Sequence, residues 1–182
     1  MILVVDMNWK KDSLTFQEFV SPIIAAVAEI KPFTVKHYTE INPNNLETYT
    51  KVVLSGVALK DNSAINHLEN FSWLKDFNKP VLGICAGMQL IGKLFGSPLK
   101  PCLEIGMTQI ITLKENPFFA ETFQAYSLHN YCVEPSADFE VLAKSAQCFQ
   151  AIKHIKKPLY GLLFHPEVRN PEILKRFIKM EQ

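Results

Sequence analysis

A chain of 182 residues, 48% of them hydrophobic, can bury one substantial core, and its length is that of a single domain running from 1 to 182. Nineteen basic against 18 acidic side chains leave a formal net charge of +1, and beyond a short lysine cluster at 153–157 there is no basic run, so a nucleic-acid partner is not expected. Cys85, Cys102, Cys132 and Cys148 are scattered with neither a C-x-x-C pair nor His/Cys ligand spacing, which suits a reduced, cytoplasmic protein with no structural metal and no cofactor.

Residues 2–5 form a continuous apolar run closed by Asp6, the pattern of a strand buried on both faces. That run has no basic leader and no later apolar stretch reaches membrane-spanning length, so neither secretion nor a membrane is expected. Phe16, Phe19, Val20, Ile23, Ile24 and Val27 then recur at helical spacing, with Thr15 and Glu18 placed for a capping box. Pro22 leaves two options, a kink in one helix or a second helix capped by Ser21 with Pro22 in its first turn. Residues 33–38 alternate as a strand, 42–45 are a turn cluster, and 51–56 are another apolar strand ending in glycine. A helical stretch at 65–77, a strand at 80–84 and a helix at 86–95 stopped by Gly96 and Pro98 follow.

This alternation is the βαβ pattern of an α/β protein with an open, mostly parallel twisted sheet flanked by helices. After Pro98 the texture changes. Residues 106–113, 123–128, 139–144, 148–153 and 159–164 look like short strands joined by turns, a smaller antiparallel layer. The chain closes on a helix with Asn170 as N-cap, Pro171 in the first turn, and Ile173, Leu174, Phe177 and Ile178 on one face.

The most informative stretch is 80–90, which runs from an apolar strand through Gly83-Ile84-Cys85-Ala86-Gly87 directly into a helix-forming segment. This is a nucleophile elbow with Cys in the Ser position. A sharp strand-to-helix turn crowds the backbone on both sides of Cys85, so its flanking positions must lack a Cβ. The free amides and dipole of the following helix then favour thiolate over thiol. An ordinary buried cysteine would need neither glycine. Downstream, Phe164-His165-Pro166-Glu167-Val168 follows an apolar strand. With the strand extended, His165 and Glu167 share a face and can pair as base and orienting carboxylate, while Pro166 stiffens the strand end.

These two motifs, in this order and over nearly the whole chain, resemble the class I (triad-type) glutamine amidotransferases, whose fold is flavodoxin-like. The resemblance implies a Cys85, His165, Glu167 triad that hydrolyses the side-chain amide of L-glutamine through a γ-glutamyl thioester. It also implies an oxyanion hole made by the amide of Ala86 and by the Gly56-Val57 loop. Many relatives carry Ser-Gly-Gly-Pro where this chain has Ser55-Gly56-Val57-Ala58, and a β-branched Val57 resists positive φ, so low basal turnover is expected. By resemblance, Gln89 contacts the amino-acid end of the substrate, and the segment containing Leu128, His129, Asn130 and Tyr131 lines the glutamine pocket. His129 could equally be a satisfied core or interface histidine, and His37, His67 and His154 have no partner pattern and read as surface residues.

No Walker-type phosphate loop or dinucleotide fingerprint is present, so the ammonia must be consumed on a separate synthase subunit. The tail from 141 to 168 is similar to the stand-alone glutaminase subunit of GMP synthase. The Gly56-Val57 and His129-Asn130-Tyr131 features are similar to the imidazole glycerol phosphate synthase glutaminase. Length and tail favour the former. A stand-alone γ-glutamyl hydrolase would use the same triad.

Overall fold

The computed structural model describes residues 1–181. Its first strand β1 (Ile2–Asp6), an interior strand of the sheet, is buried along its whole length, as a continuous apolar run requires. Helices α1 (Thr15–Phe19) and α2 (Ser21–Ala28) lead to β2 (Phe33–His37), which pairs parallel with β1. Two 3₁₀ turns precede β3 (Lys51–Leu54), and α3 (Ser63–Asn66) with a 3₁₀ segment over Leu68–Lys75 precedes β4 (Val81–Ile84). Helix α4 (Ala86–Leu94) then opens the run of β5 (Leu99–Thr112), β6 (Phe123–Val133), β7 (Phe139–Lys144), β8 (Phe149–His154) and β9 (Leu159–Leu162). Helices α5 (Pro166–Arg169) and α6 (Pro171–Lys179) end the chain.

The sheet has nine strands in the order β2-β1-β3-β4-β9-β8-β7-β5-β6. From β2 to β9 every pairing is parallel, and from β9 to β6 every pairing is antiparallel. The antiparallel strands therefore continue the same sheet. The far strand β6 curls back over the end of β4, since His165 N donates to Tyr126 O at 2.8 Å and Cys85 Sγ donates to Leu128 O at 3.4 Å.

Side chains alternate across the parallel half. Ile2, Val4, Val53 and Leu82 face Val27 of α2 and Leu174 and Phe177 of α6. On the other face Leu3, Val5, Val52 and Leu54 pack with Met88, Leu90 and Ile91 of α4 and with Phe71 and Leu74. No helix among the described residues is long and apolar enough to cross a membrane.

Several local expectations are corrected. The segment 16–27 is two helices meeting at Val20, with Pro22 in the first turn of the second. Ser21 opens that helix without capping it, and its hydroxyl donates to Gln17 Oε1 at 3.0 Å. The capping box does not form, because Leu14 holds the N-cap position and the Thr15 hydroxyl lies 2.7 Å from that of Ser13. The helical stretch at 65–77 is broken at His67, whose backbone is non-helical, and continues as 3₁₀. Strands β5 and β6 are longer than their sequence patterns, because pairing across the hairpin carries β5 through Pro101 and Gly106 with a bulge between Pro101 and Glu104. His37 and His154 are buried and structural, and only His67 of the three is exposed. His37 Nε2 pairs with Asn8 O, and His154 Nδ1 accepts from Lys156 N.

Candidate active site

Strand β4 stops and α4 starts with one residue between them, and that residue is Cys85, at φ +49° and ψ −103°. A positive φ in a non-glycine residue costs about 1–3 kcal/mol and persists only where the surroundings hold it. Here they do. A Cβ on Gly83 would lie 2.4 Å from Gly87 C, and one on Gly87 would lie 2.8 Å from Leu54 O. Both glycines are thus required by close approach of backbone, and Cys85 N is tied to Leu162 O at 2.7 Å.

His165 arrives from β9. Its Nδ1 lies 2.7 Å from Glu167 Oε1, and both side chains are buried. The expected extended geometry is corrected, because His165 caps α5 and Glu167 sits in the first turn of that helix. Pro166, with φ fixed near the helical value, starts the helix where it was expected to stiffen a strand. The Cys85 and His165 side chains flank one point of the Gly56 loop. A Cβ built on Gly56 would be 2.7 Å from His165 Cε1 and 3.5 Å from Cys85 Cβ.

Two buried polar atoms in this group have no hydrogen-bond partner, His165 Nε2 and Glu167 Oε2. Burial disfavours an imidazolium at His165, but its interactions with Glu167 and Cys85 outweigh that penalty and hold His165 well above its ordinary value of 6.5. The arrangement offers a sulfur at a helix start, a ring nitrogen free to exchange a proton, and a carboxylate that fixes the ring.

Beside Cys85 is a narrow cavity of about 10 Å³, lined by Val57, Ala86, Gln89, Leu128, His129 and Asn130. It is a narrow slot open to solvent on one side, with room for about one water. Sequence reasoning missed four further lining residues, Ala58, Leu59, Asp61 and Asn62. They directly continue the Gly56-Val57 loop, so extending that loop by a few residues would have found them.

Gln89 is tied down by a bond from Nε2 to Tyr131 O at 2.8 Å, and Asn130 Nδ2 donates to Leu59 O at 3.0 Å. Tyr131 is not among the residues lining the slot and instead borders a separate depression with Ile65 and Lys93. Neither Gly56 nor Val57 has positive φ. A much larger cavity, about 460 Å³, lies between Leu46, Trp73 and Phe77 at the opposite, N-terminal end of the parallel strands, away from Cys85. Open α/β sheets bind ligands at the carboxyl ends of their strands, so the small slot outweighs the large hollow.

His129 has a second set of partners. Its Nδ1 is 3.1 Å from Cys102 O and its Nε2 is 3.1 Å from Glu104 Oε2. Burial lowers its basicity despite the pull of Glu104.

Residues 16–181 match the family model for glutamine amidotransferase class-I. Among curated proteins, a glutamine-hydrolyzing GMP synthase subunit from Pyrococcus abyssi is 37% identical over 124 residues, which are 62% of this chain and 64% of that protein. The corresponding GMP synthase subunit from Methanocaldococcus jannaschii is 39% identical over 112 residues, 56% of this chain and 60% of its own. The GMP synthase of Caldanaerobacter subterraneus is 32% identical over 190 residues, covering 94% of this chain but 37% of its own length. The matched region thus spans less than two thirds of each of these relatives.

A solved structure from Thermoplasma acidophilum, described as a GMP synthase subunit, superposes with a TM-score of 0.85 at 26% identity, covering 98% of this chain and 92% of that one. A glutamine amidotransferase from Thermotoga maritima shares the fold at TM-score 0.71 and 22% identity, over 98% of this chain and 80% of its own. With the family model covering almost the entire chain and the elbow formed as its glycines require, this protein belongs to the class I glutamine amidotransferases.

Proposed function

We propose that residues 1–182 are one glutaminase domain in which Cys85, His165 and Glu167 act as a triad. The Cys85 thiolate attacks the side-chain amide carbon of L-glutamine, and the proton held by His165 leaves with ammonia. A γ-glutamyl thioester remains, and His165 then takes a proton from water, whose oxygen displaces the sulfur to release glutamate. Glu167 holds the ring in one tautomer and stabilises its charged form. The amides of Ala86 and Val57 are the donors for the tetrahedral oxyanion. Gln89, Leu128, His129 and Asn130 form the substrate wall, and Tyr131 contributes through its carbonyl, which anchors Gln89.

The observation that carries this is the buried 2.7 Å bond between His165 and Glu167, with the opposite ring nitrogen unpartnered and the ring and the Cys85 side chain flanking the same point of the Gly56 loop. The ammonia goes to a separate synthase subunit, the ATP-using half of a GMP synthase, by analogy with the curated relatives. Two features support dependence on that partner. The slot beside Cys85, at about 10 Å³, is smaller than a glutamine side chain, which fits a resting form that widens when a partner docks. Leu103, Ile105 and Met107 also make an exposed apolar stripe on β5, with Ile105 directly opposite Leu128, whose carbonyl touches the Cys85 thiol. A partner seated on that stripe would act on the strand next to the nucleophile. The four free cysteines and the thiol chemistry suit the reducing cytoplasm.

The test is to treat the protein, with and without the synthase subunit, with a diazo-ketone glutamine analogue and, in separate untreated samples, to measure glutamine hydrolysis with and without that subunit. One adduct mapping to Cys85 and a rate that rises with the partner are expected. An adduct on another cysteine would overturn the triad, and a high rate without any partner would overturn the coupling.

A further inference from the structure

Outside the elbow, three strands bring a second group of soft and acidic side chains together. The sulfurs of Cys102, Cys132 and Cys148 lie within 4.8 Å of one another, and Cys102 also shares such a group with Glu104 and His129. Glu104 Oε2 is 3.5 Å from Cys148 Sγ. Cys102 and Glu104 belong to β5 and Cys132 to β6, while Cys148 directly precedes β8. The bulge between Pro101 and Glu104 makes this convergence possible, since one extra residue in β5 re-aims the side chains at that point.

The donors face one another without a matching positive charge. Among the described residues no Lys or Arg forms an ion pair with Glu104, and its one ionic partner is His129. The Nδ1 of His129 sits against the carbonyl of Cys102, a bond that only an N–H can make. Its Nε2 lies 3.1 Å from Glu104 Oε2, so the ring holds the carboxylate from one side. Gln150, fully buried, donates from Nε2 to the same Glu104 oxygen at 2.5 Å and to Cys148 Sγ at 3.3 Å. That is the pattern of an outer shell orienting ligands. A tetrahedral thiolate site with metal–sulfur bonds of about 2.3 Å sets its sulfurs about 3.8 Å apart, within the span observed.

We propose that Cys102, Cys132 and Cys148 form a binding site for one zinc-type divalent ion, with Glu104, whose Oε2 lies 3.5 Å from Cys148 Sγ, swinging in as the fourth donor and His129 and Gln150 orienting its carboxylate. On binding, the three thiols release their protons and become thiolates while Glu104 supplies its fourth, oxygen donor. The ion ties β5, β6 and the start of β8 together. Because His129 also lines the slot beside Cys85, the site braces one wall of that slot. The inference does not depend on the glutaminase reading, since it concerns different sulfurs and is tested by metal uptake.

The chain, freed of metal by a chelator under reducing conditions, is titrated anaerobically with Zn²⁺ against a chromophoric competitor and, separately, with Co²⁺. The expected result is uptake of one equivalent, with the intense visible bands of tetrahedral cobalt and a near-ultraviolet thiolate charge-transfer band. Cys132→Ser and Cys148→Ser should each weaken binding by about 10- to 100-fold, the scale for disturbing a metal site. Glu104→Gln keeps all three thiols and guards against a misfolded cysteine variant, and it should weaken binding by at least about tenfold. Cys85→Ser should leave uptake and spectrum unchanged. A pale octahedral cobalt spectrum, affinity undiminished in Glu104→Gln and Cys132→Ser, or loss of two hydrogens to a disulfide with no metal uptake would each overturn the proposal.

Discussion

Cys85, His165 and Glu167 gather at the carboxyl end of the parallel strands, while Cys102, His129 and Glu104 gather on the antiparallel hairpin of the same sheet. The residue types are identical and each histidine touches its glutamate, at 2.7 Å in the first group and 3.1 Å in the second. What differs is the backbone and the spare valence. Cys85 is held at positive φ where a helix begins, and one nitrogen of His165 is unpartnered, so that group can exchange a proton with a reacting molecule. Cys102 lies in a bulge, and both nitrogens of His129 are engaged, so that group can hold something but has no free base. The basicity of the rings diverges accordingly, raised at His165 by Glu167 and Cys85 against burial, and lowered at His129 by burial against Glu104. Composition of a cluster does not assign its chemistry; the strain and the unused hydrogen-bonding capacity around it do.

The sharpest way to break this comparison is to exchange the sulfurs' fates. Cys85→Ala should abolish partner-stimulated glutamine hydrolysis, a loss of about 10⁴-fold or more, whereas Cys102→Ala should cost less than about tenfold in the same assay. Comparable losses from both would erase the distinction. Glu167→Gln comes next, with an expected drop in kcat of about 10- to 1,000-fold from loss of ring orientation.

The same variant sharpens the electrostatic contrast. Because His165 is more basic folded than unfolded, its charge contributes stability that is complete below the unfolded value of about 6.5 and is lost as pH rises through the higher folded value. Urea midpoints measured from about pH 6 to about pH 9 should therefore fall less steeply in Glu167→Gln than in the parent, at about 1.4 kcal/mol per unit of lost shift.

Two glycines compare the backbones directly. Gly83→Ala forces a Cβ to 2.4 Å from main chain at the elbow and should destabilise the fold by about 3 kcal/mol or more. Gly106→Ala, at φ +106° on β5 with open space around it, carries only conformational strain, about 1–2 kcal/mol. Urea unfolding of the two variants ranks them. The smallest effect is expected at the exposed stripe on the hairpin, where Met107→Glu should weaken binding of the synthase subunit by about tenfold while leaving the unfolding midpoint in place.

Much of the parallel half was legible in the chain because its signals are local. A run such as residues 2–5 suits a strand buried on both faces, and Gly83 and Gly87 around Cys85 announce a turn too tight for side chains. The antiparallel half was less legible. Strands β5 and β6 are defined by pairing with each other across Pro101 and Gly106, so their ends could not be found from either strand alone. Segment 65–77 carries helical spacing yet is mostly 3₁₀, since packing of Phe71, Trp73 and Leu74 against α4 set its winding rather than propensity.

By itself the sequence determined the order of strands and helices along the first half, the elbow at Cys85, and the His165–Glu167 pairing, since each rests on residues within a few positions of one another. Tertiary structure alone decided that β6 would curl back to wall a slot beside Cys85, that the Glu167 carboxylate would come from a helix turn, and that Cys102, Cys132 and Cys148 would meet. Those outcomes depend on strand pairing, register and bulges, and spacing along the chain carries no record of which strands will lie side by side.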